Sequence, residues 1–445
     1  LGIEHWSDVQ AFFCPSTKVH YGPNVISKPQ GPGLGYPELH RKSVTDSHRR
    51  HTELIILLGI LTAFAPMSID MYLPALPTIG EAFSAAPGHV QLSLASFFAG
   101  LAIGQAIYGP MADRFGRKRP MLIGLSIFIA ASAGCAMATS IDVLIALRFF
   151  QALGVCSGQV ISRAIVRDLF EPREAIRVFS LMVLVIGVSP VLAPMLGGQI
   201  LAFFDWRIIF WLTATLGLIG VMGALWRLPE THRRENARPL AVKSVLGAYY
   251  ALLTDRSFMG YTLTGATGLA GLFAYIVGSP FVFIDLFHVP TTHYGFFFGA
   301  NALGLVLAAQ LNVRLVRRFE SASVIRAVLL LQVVDAFLLL AGTWTGWIGL
   351  YGTMFFIFIY VASVGCLFPN TTAMAMALHG DKAGSASALI GTLQFTVAAI
   401  SATAVGALNN GGALPMASVI ATCATAAFAF YQSLVRERAL VASAH

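Results

Sequence analysis

Charge is scarce in this chain. Asp, Glu, Lys and Arg make up 11% of its 445 residues while 56% are hydrophobic, against about 25% charged residues in soluble domains. A water-soluble globule of this length is excluded by that shortage, because there is too little polar surface to cover it. Cysteine is scarce too, with five residues (Cys14, Cys135, Cys156, Cys366 and Cys423) and no Cys-x-x-Cys pair. That excludes a disulfide framework and a cysteine zinc site, and the four in apolar stretches read as small core residues. There is no G-x-x-x-x-G-K-[ST] loop to cradle ATP and no H-E-x-x-H, and His288 and His293 are loosely spaced in a connection. No cofactor, no metal and no enzymatic cluster of nucleophile and base is expected. The formal charge of +8 does not point to nucleic acid, since its basic residues fall in short clusters between apolar stretches.

What is abundant is apolar sequence in runs of about 20 residues, each enough to cross roughly 30 Å of hydrocarbon as a helix. They predict an all-α integral membrane protein with twelve spans, at 54–79, 91–111, 120–139, 142–165, 175–200, 206–227, 257–279, 293–313, 322–342, 347–368, 383–407 and 413–434. Residues 1–50, broken by Gly31, Pro32, Gly33, Gly35 and Pro37, read as a disordered tail. The longest polar connection, 228–256, separates a first six-helix bundle (51–227) from a second (257–435), and 436–445 form a short tail. Lys and Arg crowd one side: Arg41, Lys42, Arg49 and Arg50 before span 1, Arg114, Arg117, Lys118 and Arg119 after span 2, Arg167, Arg173 and Arg177 after span 4. The opposite side has Arg207 and little else, so the positive-inside rule puts both termini and the connection in the cytoplasm. Gln105–Phe115 (QAIYGPMADRF) is echoed at Gln310–Phe319 (QLNVRLVRRF), at the same place in each half, as in carriers built from parallel six-helix repeats.

Gly109–Pro120, GPMADRFGRKRP, resembles the signature G-x-L-x-D-R-x-G-R-[KR] of the major facilitator superfamily, with Met111 in place of Leu. Physically, Gly109 lets two helix backbones approach, and Asp113 suits the N-terminus of span 3, where Arg114 and Arg117 can pair with it. The resemblance implies a gate that latches the halves (Gly109, Asp113, Arg114, Gly116 and Arg117); simple positive-inside anchoring is the alternative.

Arg148 lies in span 4 within RFFQALGVCSGQ, which resembles the family's R-x-x-Q-G segment with Ala152 following Gln151. An arginine there costs about 2.5–3.5 kcal/mol to insert, which calls for a buried partner or an aqueous cavity. Asp70, in APMSIDMYLPALP of span 1, has similar depth, so an Asp70–Arg148 pair is expected to load and release the coupling proton if the helices are neighbours. A helix-end aspartate near the interface is the plainer reading. Pro66, Pro74 and Pro77 favour a broken, cavity-lining helix.

In span 5, Gly187, Pro190, Pro194, Gly197 and Gly198 resemble the antiporter signature G-x-x-x-G-P-x-x-G-G, with Ala193 replacing a glycine. That resemblance implies export, against a merely structural kink. Tyr72, Tyr108, Gln151, Tyr275 and Phe283 are candidates for the substrate cavity, and Asp335 in span 9 is a second intramembrane acid.

Together SIDMYLPALP, GPMADRFGRKRP, LAPMLGGQIL and GSPFVFI most resemble the Bcr/CflA drug-resistance transporters, over residues 53 to about 435. The resemblance implies a monomeric multi-pass protein of the bacterial inner membrane, in contact with lipid, exchanging protons for hydrophobic or amphipathic small molecules. A proton symporter that imports a solute and a non-transporting sensor on the same fold are the alternatives.

Overall fold

The computed structural model describes residues 38–231, 242–377, 379 and 382–436. The expected tails at 1–50 and 436–445 lie outside the described residues except for backbone at 38–50 and 436, as does 232–241 of the connection. The chain divides into two units, Leu1–Arg49, whose described part is helical, and Arg50–His445.

Within the second unit, twelve helices are long and apolar enough to cross a membrane. They are span 1 (Glu53–Phe83), span 2 (Pro87–Phe115), span 3 (Lys118–Ala136), span 4 (Ile141–Leu169), span 5 (Arg177–Phe203) and span 6 (Arg207–Arg227), followed by span 7 (Arg256–Leu286), span 8 (Thr291–Leu315), span 9 (Ser321–Thr345), span 10 (Gly349–Ala377), span 11 (Ala383–Ala407) and span 12 (Leu414–Val435). A helix satisfies its own backbone N–H and C=O groups, which hydrocarbon cannot do. The connection between spans 6 and 7 holds a further short helix, Val242–Thr254, packed on spans 7 and 11.

Span 2 packs on span 4, and span 3 on spans 4 and 6; six spans later, span 8 packs on span 10, and span 9 on spans 10 and 12. The two most extensive pairings between the groups of six are 2 with 11 and 5 with 8, and each maps onto the other under the same offset. The sequence echo therefore has a counterpart in packing.

We call the end of the molecule that carries the Asp113–Lys118 loop the basic end. At the far end the crossing is tight. A methyl on Gly88 of span 2 would run into the carbonyl of Gly406 in span 11, and one on Gly198 of span 5 into that of Thr291 in span 8. Beside the first contact, Gln91 Nε2 donates to the Val277 carbonyl (3.2 Å) and Gln91 Oε1 accepts from Asn409 Nδ2 (3.0 Å), joining spans 2 and 7 and the connection just after span 11. Toward the basic end the 5–8 crossing loosens, and a methyl at Gly187 would meet Val306 at an ordinary 3.7 Å.

Candidate functional site

Span 1 is not one helix. Its first helix ends at Asp70 and a 3-10 turn, Leu73–Ala75, leads into a second helix, Leu76–Phe83. Pro74 has no N–H to return to the Asp70 carbonyl. Upstream, the Tyr72 amide bonds to the Ile69 carbonyl (3.2 Å) rather than to that of Ser68, which is left free.

Arg148 fills that vacancy. Its Nη1 donates to the Ser68 carbonyl (3.2 Å) and to Gln151 Oε1 (2.6 Å), and Gln151 Nε2 donates to Ser132 Oγ (2.8 Å). The guanidinium carbon lies 4.2 Å from the Phe97 ring centre, 4.4 Å from that of Tyr72 and 5.8 Å from that of Phe210. A desolvated cation–π contact contributes about 2 kcal/mol, so an aromatic cage and a backbone acceptor, rather than an acid, hold this fully buried charge.

The expected Asp70–Arg148 pair is not formed. Two residues along a helix turn the chain about 200° around its axis, so the Ser68 stretch faces span 4 while Asp70 looks elsewhere. Asp70 is buried, lies within electrostatic reach of Tyr275 in span 7 and Tyr294 in span 8, and has no hydrogen-bond or ion-pair partner among the described residues. Around it the second group of spans presents a bonded set. Asn301 Nδ2 donates to Tyr275 Oη (2.9 Å), Ser279 Oγ pairs with Tyr294 Oη (2.7 Å), and Tyr275 stacks on Phe298 with ring centres 5.6 Å apart. Phe283 tilts against Tyr275 at 6.4 Å.

Two of the proposed cavity residues belong to the Arg148 cage instead. Tyr72 is buried with its hydroxyl paired to Ser93 (2.8 Å), and Gln151 is the arginine's own acceptor. Tyr108 is also buried, packed where spans 3 and 4 meet near Gly124 and Ser157. Tyr275 and Phe283 sit with Asp70 as a group.

At the basic end, the acid at the span 3 N-terminus is Glu230 rather than Asp113. Glu230, just beyond span 6, accepts from the backbone amides of Arg117 (2.8 Å) and Lys118 (3.3 Å), where the helix leaves its first donors unpaired. Asp113 closes the last turn of span 2 and takes Arg117 Nη1 (2.6 Å), while Arg117 Nε reaches Asp168 at the end of span 4 (2.8 Å). Burial opposes the charge on Arg117, but hydrogen bonds to Asp168 and Asp113 outweigh it and raise its pKa above the usual arginine value. Arg114 is not in this cluster, and its guanidinium lies 5.2 Å from the Phe115 ring centre. Nothing lies within 4 Å of a Cβ built on Gly109, so the close approach expected there is absent in this conformation. These contacts of the loop tie together the ends of spans 2, 3, 4 and 6.

In span 5, Pro190 and Pro194 lie inside a continuous helix, Pro172–Phe203. Gly197 meets the Met71 carbonyl of span 1, one residue past the Asp70 break, and Gly198 that of Thr291 in span 8. Glu230, Asp168, Tyr294 and Asn301 are the residues that sequence reasoning missed. The one available signal was an acid at the basic end of each of spans 2, 4 and 6.

Arg148→Lys is expected to leave the fold intact and lower thermal stability by about 1–3 kcal/mol. A lysine ammonium has no flat face to lie between the Phe97 and Tyr72 rings, and as a compact, strongly hydrated charge it costs more to bury there. Denaturation midpoints of the purified protein check this, and an unchanged midpoint would remove the cage from the account.

A profile described as Major Facilitator Superfamily matches residues 58–402. The chain is 37% identical over 388 residues to the "Uncharacterized MFS-type transporter YdgK" of Bacillus subtilis (strain 168), covering 86% of this chain and 96% of the relative. It is 31% identical over 375 residues to the "Bicyclomycin resistance protein homolog" of Haemophilus influenzae, covering 83% and 92%. "Multidrug resistance protein D" of Escherichia coli (strain K12) is 30% identical over 354 residues, covering 78% and 86%. Among solved structures, a crystal structure of a D-xylose-proton symporter superposes with a TM-score of 0.70 at 16% identity, covering 86% of this chain and 98% of that one.

Proposed function

We propose that this chain, which belongs to the Major Facilitator Superfamily, exports hydrophobic or amphipathic small molecules in exchange for protons. As a member it is a multi-pass membrane transporter of small molecules and not an enzyme. Two of its relatives carry bicyclomycin and multidrug resistance in their names, and the same class of cargo is proposed here.

The observation that carries the proton reading is Asp70. It is a buried acid at the break of span 1, without a partner among the described residues, facing Tyr275 and Tyr294 across the divide between the two groups of spans. An acid in that position feels a different neighbourhood whenever the groups move, which is what coupling needs. With the basic end cytoplasmic, as the positive-inside rule assigns it, Asp70 takes a proton from outside and releases its cargo, and the groups 51–227 and 257–435 rock about the 2–11 and 5–8 crossings. Proton loss inside then readmits cargo. The unit of transport is the monomer.

Liposomes holding a pH dye, challenged with lipophilic cationic, neutral and zwitterionic antibiotics, test this. Proton flux opposite to a compound supports the reading. Flux in the same direction makes the protein an importer, and no flux with any compound removes drug export.

A further inference from the structure

Span 9 carries an acid that the Asp70 mechanism leaves unused. Asp335 is buried, and Gln332, three residues earlier, is fully buried; that spacing puts both on one helix face. Asp335 Oδ2, Gln332 Oε1 and Gln332 Nε2 are all buried without a hydrogen-bond partner. Spans 10 and 12 pack on span 9. From them two titratable groups face this region, Tyr360 and Cys423, and Tyr360 lies within electrostatic reach of both Cys423 and Asp335. Both are engaged elsewhere. The Tyr360 hydroxyl donates to the Gly268 carbonyl in span 7 (3.0 Å), and the Cys423 thiol lies 4.0 Å from Ser401 Oγ. Span 7 closes the other side with Gly268, whose Cβ would come 3.3 Å from Gln332 Oε1. No charged side chain among the described residues offsets Asp335.

We propose that Asp335 and Gln332 form a second proton-exchanging site, within the last six spans and separate from Asp70, so that each transport cycle moves an additional proton. This rests on the transport reading above. The chemistry lies in the amide, which offers an acceptor and donors from one group. Protonated Asp335 donates its O–H to Gln332 Oε1. When span 9 meets water at the basic end, the O–H bond breaks, the proton passes to that water, and the carboxylate accepts from Gln332 Nε2. Reprotonation from the far side reverses the exchange. Three unmade buried hydrogen-bonding positions are costly in a purely structural pair, and an apolar pair would avoid that cost.

Infrared difference spectra of the purified full chain, recorded across steps of pH, test the site directly. A carboxylic C=O band that disappears as pH rises, is missing in Asp335→Asn and titrates at a shifted pH in Gln332→Leu is the expected result. Gln332→Leu removes two unpartnered atoms and is expected to fold at least as well as the wild type. A band that persists at every pH, or a titrating band unaffected by either variant, overturns the proposal. In liposomes with ethidium as cargo, Asp335→Asn is expected to lose one proton per ethidium moved, and an unchanged ratio also overturns it. The two readings fail differently. Loss of the infrared titration sinks the site alone, whereas a wild type that moves no proton with any compound sinks the transport reading, and the proton count with it.

Discussion

Asp70→Asn should reduce driven accumulation of cargo by the whole factor that its proton supplies, while leaving exchange of cargo for cargo nearly intact. Each proton traded for a neutral compound across 100 mV supplies about 2.3 kcal/mol, which multiplies the sustained concentration ratio by about 50. Asparagine has nearly the shape of aspartate and cannot carry the proton, so the ratio should fall by that factor of about 50. Asp70 makes no hydrogen bond or ion pair among the described residues, so the substitution leaves no partner stranded in the core. Energised uptake into inverted vesicles and counterflow of labelled cargo, measured on the same preparation, separate the two activities. Full accumulation by Asp70→Asn would move the coupling site elsewhere, and loss of counterflow as well would make Asp70 a structural or cargo-binding residue. The pH dependence of cargo binding should also flatten in the variant.

Gly116→Ala is expected to be the most damaging single methyl at the basic end. Gly116 has φ 85°, and a Cβ there would lie 2.7 Å from the carboxylate of Glu230. A non-glycine residue held in such a conformation costs about 1–3 kcal/mol. Displacing Glu230 further loses its hydrogen bonds to the Arg117 and Lys118 amides (2.8 and 3.3 Å), for a total of about 2–4 kcal/mol. Thermal unfolding of Gly116→Ala, Glu230→Ala and the double variant reads this as a cycle. The double variant should be less destabilised than the sum, because removing the carboxylate makes room for the methyl. Strict additivity, or a Gly116→Ala protein as stable as the wild type, would contradict the geometry.

The twelve spans were legible because a membrane leaves few choices. A run of about 20 apolar residues must close its own backbone hydrogen bonds, and a helix does so without reference to its neighbours. Arg148 was legible as a residue that needs an answer, but the answer was not. One half of it is a backbone carbonyl, at Ser68, that becomes free only because the chain shifts to a 3-10 turn ahead of Pro74, and the other half is rings contributed by three spans. Backbone acceptors leave no mark in a pattern of side-chain types. For the same reason Tyr72 and Gln151 were assigned to a cavity, since residue type does not say which neighbour a helix face meets. Glu230 was hidden by distance along the chain, 113 residues from the amide of Arg117 that it caps. Asp113 stood next to the same helix and looked like the natural acid for it.

The bond from Arg148 to the Ser68 carbonyl also bears on how the protein is made. Span 1 leaves the ribosome well before span 4, so during synthesis its break has an open carbonyl and no guanidinium to meet it. Water can take that position until span 4 is inserted, and the arginine then enters a bilayer that already holds one of its acceptors. Each defect lowers the cost of the other. Arg148 variants are therefore expected to be lost to quality control in the cell more than their stability once purified would suggest, which cellular abundance set against purified midpoints checks.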